Sequence, residues 1–104
     1  MEKTTSDAIA YRRSVRLYKN EDISSEKIKK CLQNASIAPT SSNLQLWEFH
    51  HIRSKDKMAE ISMACFNQSA AKSAQQMVVF VSRKDLWKSR AKANLKFLNT
   101  QFDK

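Results

Sequence analysis

The chain contains no glycine in its 104 residues, although glycine makes up about 7% of average proteins. Glycine normally supplies the positive φ angles of tight turns and helix C-termini, because it has no Cβ to clash with the backbone. A chain without glycine must place other residues in those conformations, and asparagine tolerates them best. We therefore expect asparagine to cover some of these positions, the candidates being Asn20, Asn34, Asn43 and Asn99.

The length and composition predict one small folded domain. A hydrophobic fraction of 41% and two tryptophans argue against wholesale disorder. The formal net charge is +9, but the basic residues are spread along the chain, so we interpret most of them as a solvated surface. The sequence lacks the alternation of basic and aromatic residues that single-strand nucleic-acid binders use, so we expect no specific nucleic-acid partner. A small basic module with salt-dependent binding to nucleic acid or an acidic protein is the alternative.

The cysteines and the apolar segments bear on the cellular compartment. Cys31 and Cys65 each fall on an apolar helical stripe, which predicts two buried free thiols. No Cys-x-x-Cys or Cys/His spacing indicates a metal site. Residues 1–5 lack the apolar core of a signal peptide, and no apolar run approaches the length of a membrane span. We expect a cytoplasmic protein with no membrane contact.

The clearest helix is predicted over residues 24–37. Its apolar residues recur at the i, i+3, i+4, i+7 spacing between Ile28 and Ala35. A capping serine precedes them, and Pro39 ends the helix by forcing the residue before it out of helical geometry. Further helices are predicted over about residues 5–12, from near Ser54, over Asn67–Ala74, and from after Ser82 to the C-terminus.

Two strands are predicted, over Trp47–Ile52 and Met77–Val81. The second is a continuous apolar run, typical of a strand buried on both faces. Helices around a small sheet of about two strands favour an α/β or α+β domain. Two strands rarely form a stable sheet alone, and nothing follows the last helix to cover its apolar face. We therefore expect part of a larger domain to be absent. That face consists of Trp87, Ala91, Leu95, Leu98 and Phe102.

The segment Pro39–Phe49 contains the only proline, then small polar residues, then an apolar, aromatic run. Short hydroxyl and amide side chains leave room for a ligand and can hydrogen-bond to its edges. A helix-to-strand connection with Ser/Asn turn chemistry is the alternative, and it accounts for any one residue better than for the whole run.

A cluster of arginines lies upstream, in the sequence Arg-Arg-Ser-Val-Arg of residues 12–16. Three guanidinium groups within five residues can bind a phosphate in bidentate fashion, and Ser14 can donate a hydrogen bond. An extended backbone would point Arg12, Ser14 and Arg16 to one face. An ordinary helix C-terminus, where arginines suit the helix dipole, explains the same residues. Together with the polar loop, the cluster indicates a site for an anionic, heteroaromatic ligand.

Other polar residues carry weaker signals. Asn67-Gln68 is either a helix-capping amide pair or a ligand contact. His50 and His51 face opposite sides of a strand, and neither has a partner at a spacing typical of a metal site or a catalytic triad. No nucleophile–base pair or Gly-rich phosphate loop is present. Redox chemistry in this chain would therefore require a cofactor.

Three segments resemble the FMN-dependent nitroreductase family in their order and approximate spacing. They are residues 12–16, Ala38–Phe49, and Asn67-Gln68 ahead of the strand Met77–Val81. The resemblance covers nearly the whole chain and implies a nitroreductase-like fold. Leu46 stands where many relatives have proline. Family members are considerably longer, and their C-terminal part supplies a glycine-containing stretch beside the flavin, a further basic phosphate contact and more strands. The resemblance thus implies a truncated, partial FMN-binding domain over residues 1–104.

The resemblance also implies roles for individual residues. Arg12, Arg13 and Ser14 resemble the residues that hold the FMN phosphate and ribityl chain. Arg16 resembles the basic residue near the pyrimidine side of the flavin ring, where a positive charge stabilises the anionic reduced form. Asn67 resembles the amide that hydrogen-bonds to the ring edge. The loop that reaches the flavin of the other subunit is matched by Pro39, Thr40, Ser41 and Asn43.

The implied activity is electron transfer through FMN from NAD(P)H to nitro compounds or quinones, by alternate half-reactions. The implied assembly is a homodimer with the FMN site at its interface. A truncated, non-catalytic remnant of such an enzyme is the alternative.

Overall fold

The computed structural model describes residues 2–102. The elements in chain order are α1 (Thr5–Tyr11), α2 (Ser25–Ser36), β1 (Trp47–Ile52), α3 (Lys55–Ala64), α4 (Ser69–Ser73), β2 (Met77–Ser82) and α5 (Trp87–Phe102). Two short 3-10 turns, Ser41–Asn43 and Lys84–Leu86, precede β1 and α5. The described residues contain five helices and two strands, so the fold is mixed α+β, as predicted.

The helix N-termini follow the capping residues of the sequence. The Thr4 hydroxyl accepts a hydrogen bond from the Asp7 amide at 3.2 Å, and the Asp7 carboxylate returns one from the Thr4 amide at 3.3 Å. The Ser24 hydroxyl accepts from the Lys27 amide at 3.3 Å. Each bond satisfies an amide that has no partner within its own helix.

The strands β1 and β2 form a two-stranded antiparallel sheet in which Phe49 pairs with Phe80. The rings of Trp47 and Phe49 stack at 4.7 Å between centroids, and Phe49 meets Phe80 edge-on at 5.1 Å. Phe80 is nevertheless 69% exposed, so the prediction that β2 is buried on both faces is wrong. Within residues 2–102, no helix covers that position of the sheet.

The core is small and lies on the inner face of α3. Met58 is 8% exposed, and Ser62, one turn further on, is buried with its hydroxyl donating to the Ala71 carbonyl at 2.9 Å. Cys65 is half-buried, but Cys31 is exposed, which corrects the expectation of two buried thiols. The apolar stripe of α2 that contains Cys31 is only partly covered by the rest of the chain.

The chain leaves much more surface open than a compact protein of its mass. Its accessible surface is 9348 Å², whereas a folded monomer of 12.0 kDa exposes roughly 6,000 Å². Its radius of gyration is 18.4 Å, against about 13 Å for a compact domain of this length. The open surface includes large apolar side chains along α5, such as Leu95 at 60% and Phe102 at 80% exposure.

Five residues other than glycine adopt positive φ: Ser42, Asn43, Gln45, Phe66 and Asn67. Of the four asparagines expected in this role, only Asn43 is confirmed. Phe66 and Asn67 end α3 in a Schellman motif, in which their amides donate to the carbonyls of Met63 at 3.0 Å and Ser62 at 2.8 Å. The helix predicted to start at Asn67 therefore starts at Ser69.

Candidate functional site

The loop Thr40–Gln45 is held by hydrogen bonds within itself. The amides of Asn43 and Leu44 donate to the carbonyls of Thr40 and Ser41 at 3.0 and 3.1 Å. The Gln45 amide donates to the Thr40 hydroxyl at 3.1 Å. The amide groups that could otherwise bind a ligand are thus used to shape the loop.

By contrast, several side-chain donors of this loop form no hydrogen bond within the described residues. Within the described residues, the hydroxyls of Ser41 and Ser42 form no side-chain hydrogen bond, and both residues are exposed. The Asn43 side-chain oxygen accepts from Gln45 Nε2 at 3.1 Å, which leaves the Asn43 amide nitrogen available to donate. The Thr40 oxygen accepts inside the loop but keeps its own hydrogen as a donor. The loop thus carries hydrogen-bond donors that are not used within the described residues and could bind a ligand.

Three residues of the loop lie in the left-handed region, at φ near 50°: Ser42, Asn43 and Gln45. For a residue other than glycine this conformation costs about 1–3 kcal/mol, and it persists only where the surroundings hold it. Helix α5 supplies part of that hold. Asn94 Nδ2 donates to the Ser42 carbonyl at 2.7 Å, and Arg90 Nη1 donates to the Gln45 carbonyl at 3.1 Å.

The arginine cluster has a different environment. Residues 12–24 form an irregular, exposed connection between α1 and α2. Arg13 Nη1 donates to the carbonyls of Ala10 and Arg12, both at 2.9 Å, so this side chain caps the end of α1. Within residues 2–102, Arg12 and Arg16 form no ion pair or side-chain hydrogen bond. The helix-terminus explanation is thus realised by Arg13, while Arg12 and Arg16 keep unpaired charges.

Asn67 occupies the turn between α3 and α4. Its backbone caps α3, but its side chain is exposed and has no hydrogen-bond partner within the described residues. The backbone therefore fulfils the capping explanation, and the side-chain amide remains able to contact a ligand.

Within residues 2–102, no hydrogen bond or ion pair joins the three predicted parts of the site. The arginine connection is tied to α4 by the Tyr18 amide, which donates to the Ser73 hydroxyl at 3.0 Å. The polar loop is tied to α5 instead. One groove of about 450 Å³ lies between α2 and β1, and another of about 410 Å³ lies beside α3 and α4. Neither groove is lined by a predicted site residue.

An ionic cluster lies beyond the polar loop, where β1 begins and β2 ends. Arg83 donates to both oxygens of Asp85, at 3.0 and 2.9 Å, and also to Glu48. The hydrogen bond from Arg83, with a second from His50, lowers the pKa of Glu48, and the bond from Arg83 lowers the pKa of Asp85. The two carboxylates in turn raise the pKa of Arg83. The cluster connects the loop side of the sheet to the start of α5.

The histidines are satisfied locally. His50 Nε2 lies 2.5 Å from a Glu48 oxygen, and His51 Nε2 lies 2.6 Å from the Gln76 side-chain oxygen. No group of three or more potential metal ligands occurs within residues 2–102.

Sequence reasoning missed Arg90 and Asn94. Helical periodicity indicates only the apolar face of α5. Arg90 and Asn94 are one turn apart and lie off that face, and this spacing is the one signal that the sequence offers. Their contacts depend on how α5 lies against the loop, which helical periodicity does not report.

The comparisons with known proteins cover the region that contains all of these features. The family model for the nitroreductase family matches residues 9–102. The chain belongs to the nitroreductase family. A protein of Archaeoglobus fulgidus named "Putative NADH dehydrogenase/NAD(P)H nitroreductase" is 34% identical over 83 residues. That match covers 73% of this chain and 48% of the relative.

Solved structures show the nitroreductase-like fold. B. megaterium NfrA2 superposes with a TM-score of 0.75 at 27% identity, over 86% of this chain and 36% of that protein. A "putative nitroreductase in complex with FMN" from Exiguobacterium sibiricum gives 0.72 at 23% identity, over 97% and 53%. This member of the nitroreductase family thus covers between 36% and 53% of the length of these three proteins. Among residues 2–102, no helix is long and apolar enough to cross a membrane.

Proposed function

We propose that this chain is an FMN-binding subunit of a nitroreductase-type flavoprotein oxidoreductase. The observation that carries the proposal is the combination of two unpaired guanidinium groups, Arg12 and Arg16, with a shaped loop that presents hydrogen-bond donors. The family match runs over residues 9–102 and so includes both features. The FMN complex of a structural neighbour with the same fold supports the choice of cofactor.

The residues present fit FMN by their chemistry. No acidic residue lies between Asp7 and Glu21, so no carboxylate of the arginine segment competes with a phosphate. We propose that Arg12, Arg13 and Ser14 hold the phosphate and the ribityl chain. Arg16 would place its positive charge near the pyrimidine side of the ring, and Asn67 would hydrogen-bond to the ring edge.

When bound, FMN supplies the redox chemistry that side chains lack, taking electrons from NAD(P)H and giving them to a nitro compound or a quinone. The chain's own part is binding and electrostatics. A guanidinium held against the ring favours negative charge there, because the attraction is strongest where water is excluded. Both NADH and NADPH are candidates, since the name of the Archaeoglobus relative includes each.

We further propose that two copies assemble with FMN at their interface. The accessible surface exceeds that of a compact monomer by roughly 3,000 Å². A standard interface buries about 800 Å² per partner, so the open surface is large enough to form one. The loop Pro39–Asn43 would then reach the FMN held by the arginines of the other copy. This arrangement accounts for the lack of a hydrogen bond or ion pair between the loop and the arginine segment within residues 2–102 of one chain.

A reducing compartment such as the cytoplasm suits the protein. Both cysteines are free thiols, and Cys31 is exposed. Exposed thiols persist in reducing compartments and oxidise readily elsewhere.

A titration of the purified chain with FMN tests the proposal, with binding followed by flavin fluorescence and absorbance. We expect one FMN per chain, a dimer in sedimentation equilibrium, and NAD(P)H oxidation that depends on a nitroaromatic acceptor. A colourless protein that does not bind added FMN would refute the proposal. Stoichiometric binding without turnover would support the non-catalytic alternative.

A further inference from the structure

The polar loop depends on two side chains of α5 that lie outside the nine predicted cofactor-binding residues. We infer that Arg90 and Asn94 are positioning residues, which hold the loop Thr40–Gln45 in its left-handed conformation and so orient the groups that face the ligand. The identity of that ligand rests on the proposed function. The holding contacts themselves rest on the geometry of one chain.

The contacts are made at the strained points of the loop. Asn94 donates to the carbonyl of Ser42, and Arg90 to the carbonyl of Gln45, with a weaker contact to Leu44 at 3.4 Å. Ser42 and Gln45 are two of the three loop residues with positive φ. Helix α5 thus binds the carbonyl oxygens of those residues whose backbone most needs an external restraint.

The internal hydrogen bonds of the loop do not replace these contacts. They engage the amides of Asn43, Leu44 and Gln45, and they leave the carbonyls of Ser42 and Gln45 to face α5. Arg90 and Asn94 are both half-buried and one helical turn apart, so one rigid helix holds two points of the loop. Two anchored points fix the direction of a short loop, whereas one would let it pivot.

The effect of Arg90 extends to Asn43. Arg90 holds the main chain of Gln45, and the side chain of Gln45 donates to the Asn43 oxygen at 3.1 Å. That bond directs the Asn43 amide nitrogen away from the loop. A shift of Gln45 would therefore turn the donor that the loop offers to its ligand.

The first arm of the test measures loop order without any ligand. Asn94→Ala and Arg90→Gln should raise amide hydrogen exchange at Asn43, Leu44 and Gln45 by about twofold to tenfold, the range for loss of one hydrogen bond. Asn99→Ala and Lys92→Gln are matched controls on the exposed side of α5. They change helix propensity or charge equally and should leave exchange in the loop unchanged.

The second arm measures FMN affinity. Asn94→Ala should weaken FMN binding by about twofold to tenfold, whereas Asn99→Ala should leave it unchanged. Arg90→Lys retains a donor and should recover part of the affinity lost in Arg90→Gln. Recovery of this kind is not expected if Arg90 merely fills space.

The outcomes separate this inference from the proposed function. Unchanged exchange in the loop, or equal exchange in variants and controls, would overturn the inference even if FMN binds tightly. A loosened loop with unchanged FMN affinity would overturn it as well. If the unaltered chain binds no FMN, the proposed function fails, and a loosened loop in both variants still confirms the holding role.

Discussion

The candidate site has two halves that are restrained to very different degrees. They are the polar loop Thr40–Gln45 and the arginine segment 12–16. The loop is restrained by bonds within itself and by two side chains of α5. The arginine segment is exposed, and of its three guanidinium groups only that of Arg13 binds other atoms of residues 2–102.

In the proposed FMN complex, the difference suits what each half would recognise. Hydrogen bonds to a ring edge require fixed directions, so a loop that is shaped before binding avoids an ordering cost. Attraction between a guanidinium group and a phosphate falls off slowly with distance, so exposed side chains can adjust to the ligand. The molecule thus combines a preformed half with an adaptable half.

Replacing Arg12 with alanine should have the largest effect on binding and almost none on stability. A charge-assisted contact is worth about 1.5–3 kcal/mol, or roughly 10-fold to 160-fold in FMN affinity. Within residues 2–102 the Arg12 side chain forms no hydrogen bond or ion pair, and the backbone contacts of Arg12 are kept by alanine, so the free energy of unfolding should change little. An FMN titration and urea unfolding measure the two quantities.

Lys96→Ala removes the same charge from α5 and serves as the control for Arg12→Ala. Equal weakening in both variants would show a general effect of net charge. Unchanged affinity in Arg12→Ala would contradict the phosphate role.

Replacing Thr40 with valine should affect stability and binding together, in contrast to Arg12→Ala. It leaves the Gln45 amide without its partner, which costs about 1–3 kcal/mol where water cannot replace the bond. The free energy of unfolding and the FMN affinity should both fall. Thr40→Ser keeps the hydroxyl and should behave like the unaltered chain. A fully stable valine variant would show that the loop does not depend on this bond.

Replacing Asn67 with glycine separates the backbone role of this residue from that of its side chain. Glycine accepts the positive φ that lets the amide cap α3, and it removes the side-chain amide. FMN affinity should fall by about 0.5–1.5 kcal/mol, since a neutral hydrogen bond is lost. If the urea midpoint falls while FMN affinity does not, Asn67 serves the helix cap alone.

Acid should lower the stability that the ion pairs of Arg83 give to the fold. This is the smallest of the expected effects. The pKa values of Glu48 and Asp85 are lowered by Arg83, so their ion pairs stabilise the fold above the ordinary carboxyl pKa, 4.5 for Glu48. This stabilisation is lost as the pH falls through the lowered values. Thermal midpoints near neutral pH and at about pH 3.5 should differ less in Arg83→Gln than in the unaltered chain. An equal difference in both would contradict this role of Arg83.

Much of the fold follows from local patterns in the sequence. The strand predicted over Trp47–Ile52 has those bounds, and α2 ends at Ser36, just ahead of the predicted limit near Ile37. Alternation, capping serines and Pro39 act over a few residues, so the sequence displays them directly. The exposure of Cys31 and Phe80 was not foreseen, because it depends on which surfaces the other elements cover.

The candidate site was predictable in composition but not in arrangement. The types of residue at 12–16 and 39–45 indicate an anionic ligand with polar edges, and the structure shows Arg12, Arg16 and the loop side chains exposed. Which arginine caps α1, and which helix holds the loop, depend on long-range contacts. Arg13, Arg90 and Asn94 acquire their partners only when the chain folds.

The Schellman motif at the end of α3 has a consequence for how this protein can change. Phe66 is 89% exposed and has a φ of 57°. This conformation is unfavourable for an aromatic residue and is readily adopted by glycine. In a laboratory selection for heat resistance, glycine at this position would relieve the backbone without disturbing a packed neighbour. A chain that has acquired glycine at this position would tolerate destabilising mutations elsewhere that the chain with Phe66 does not.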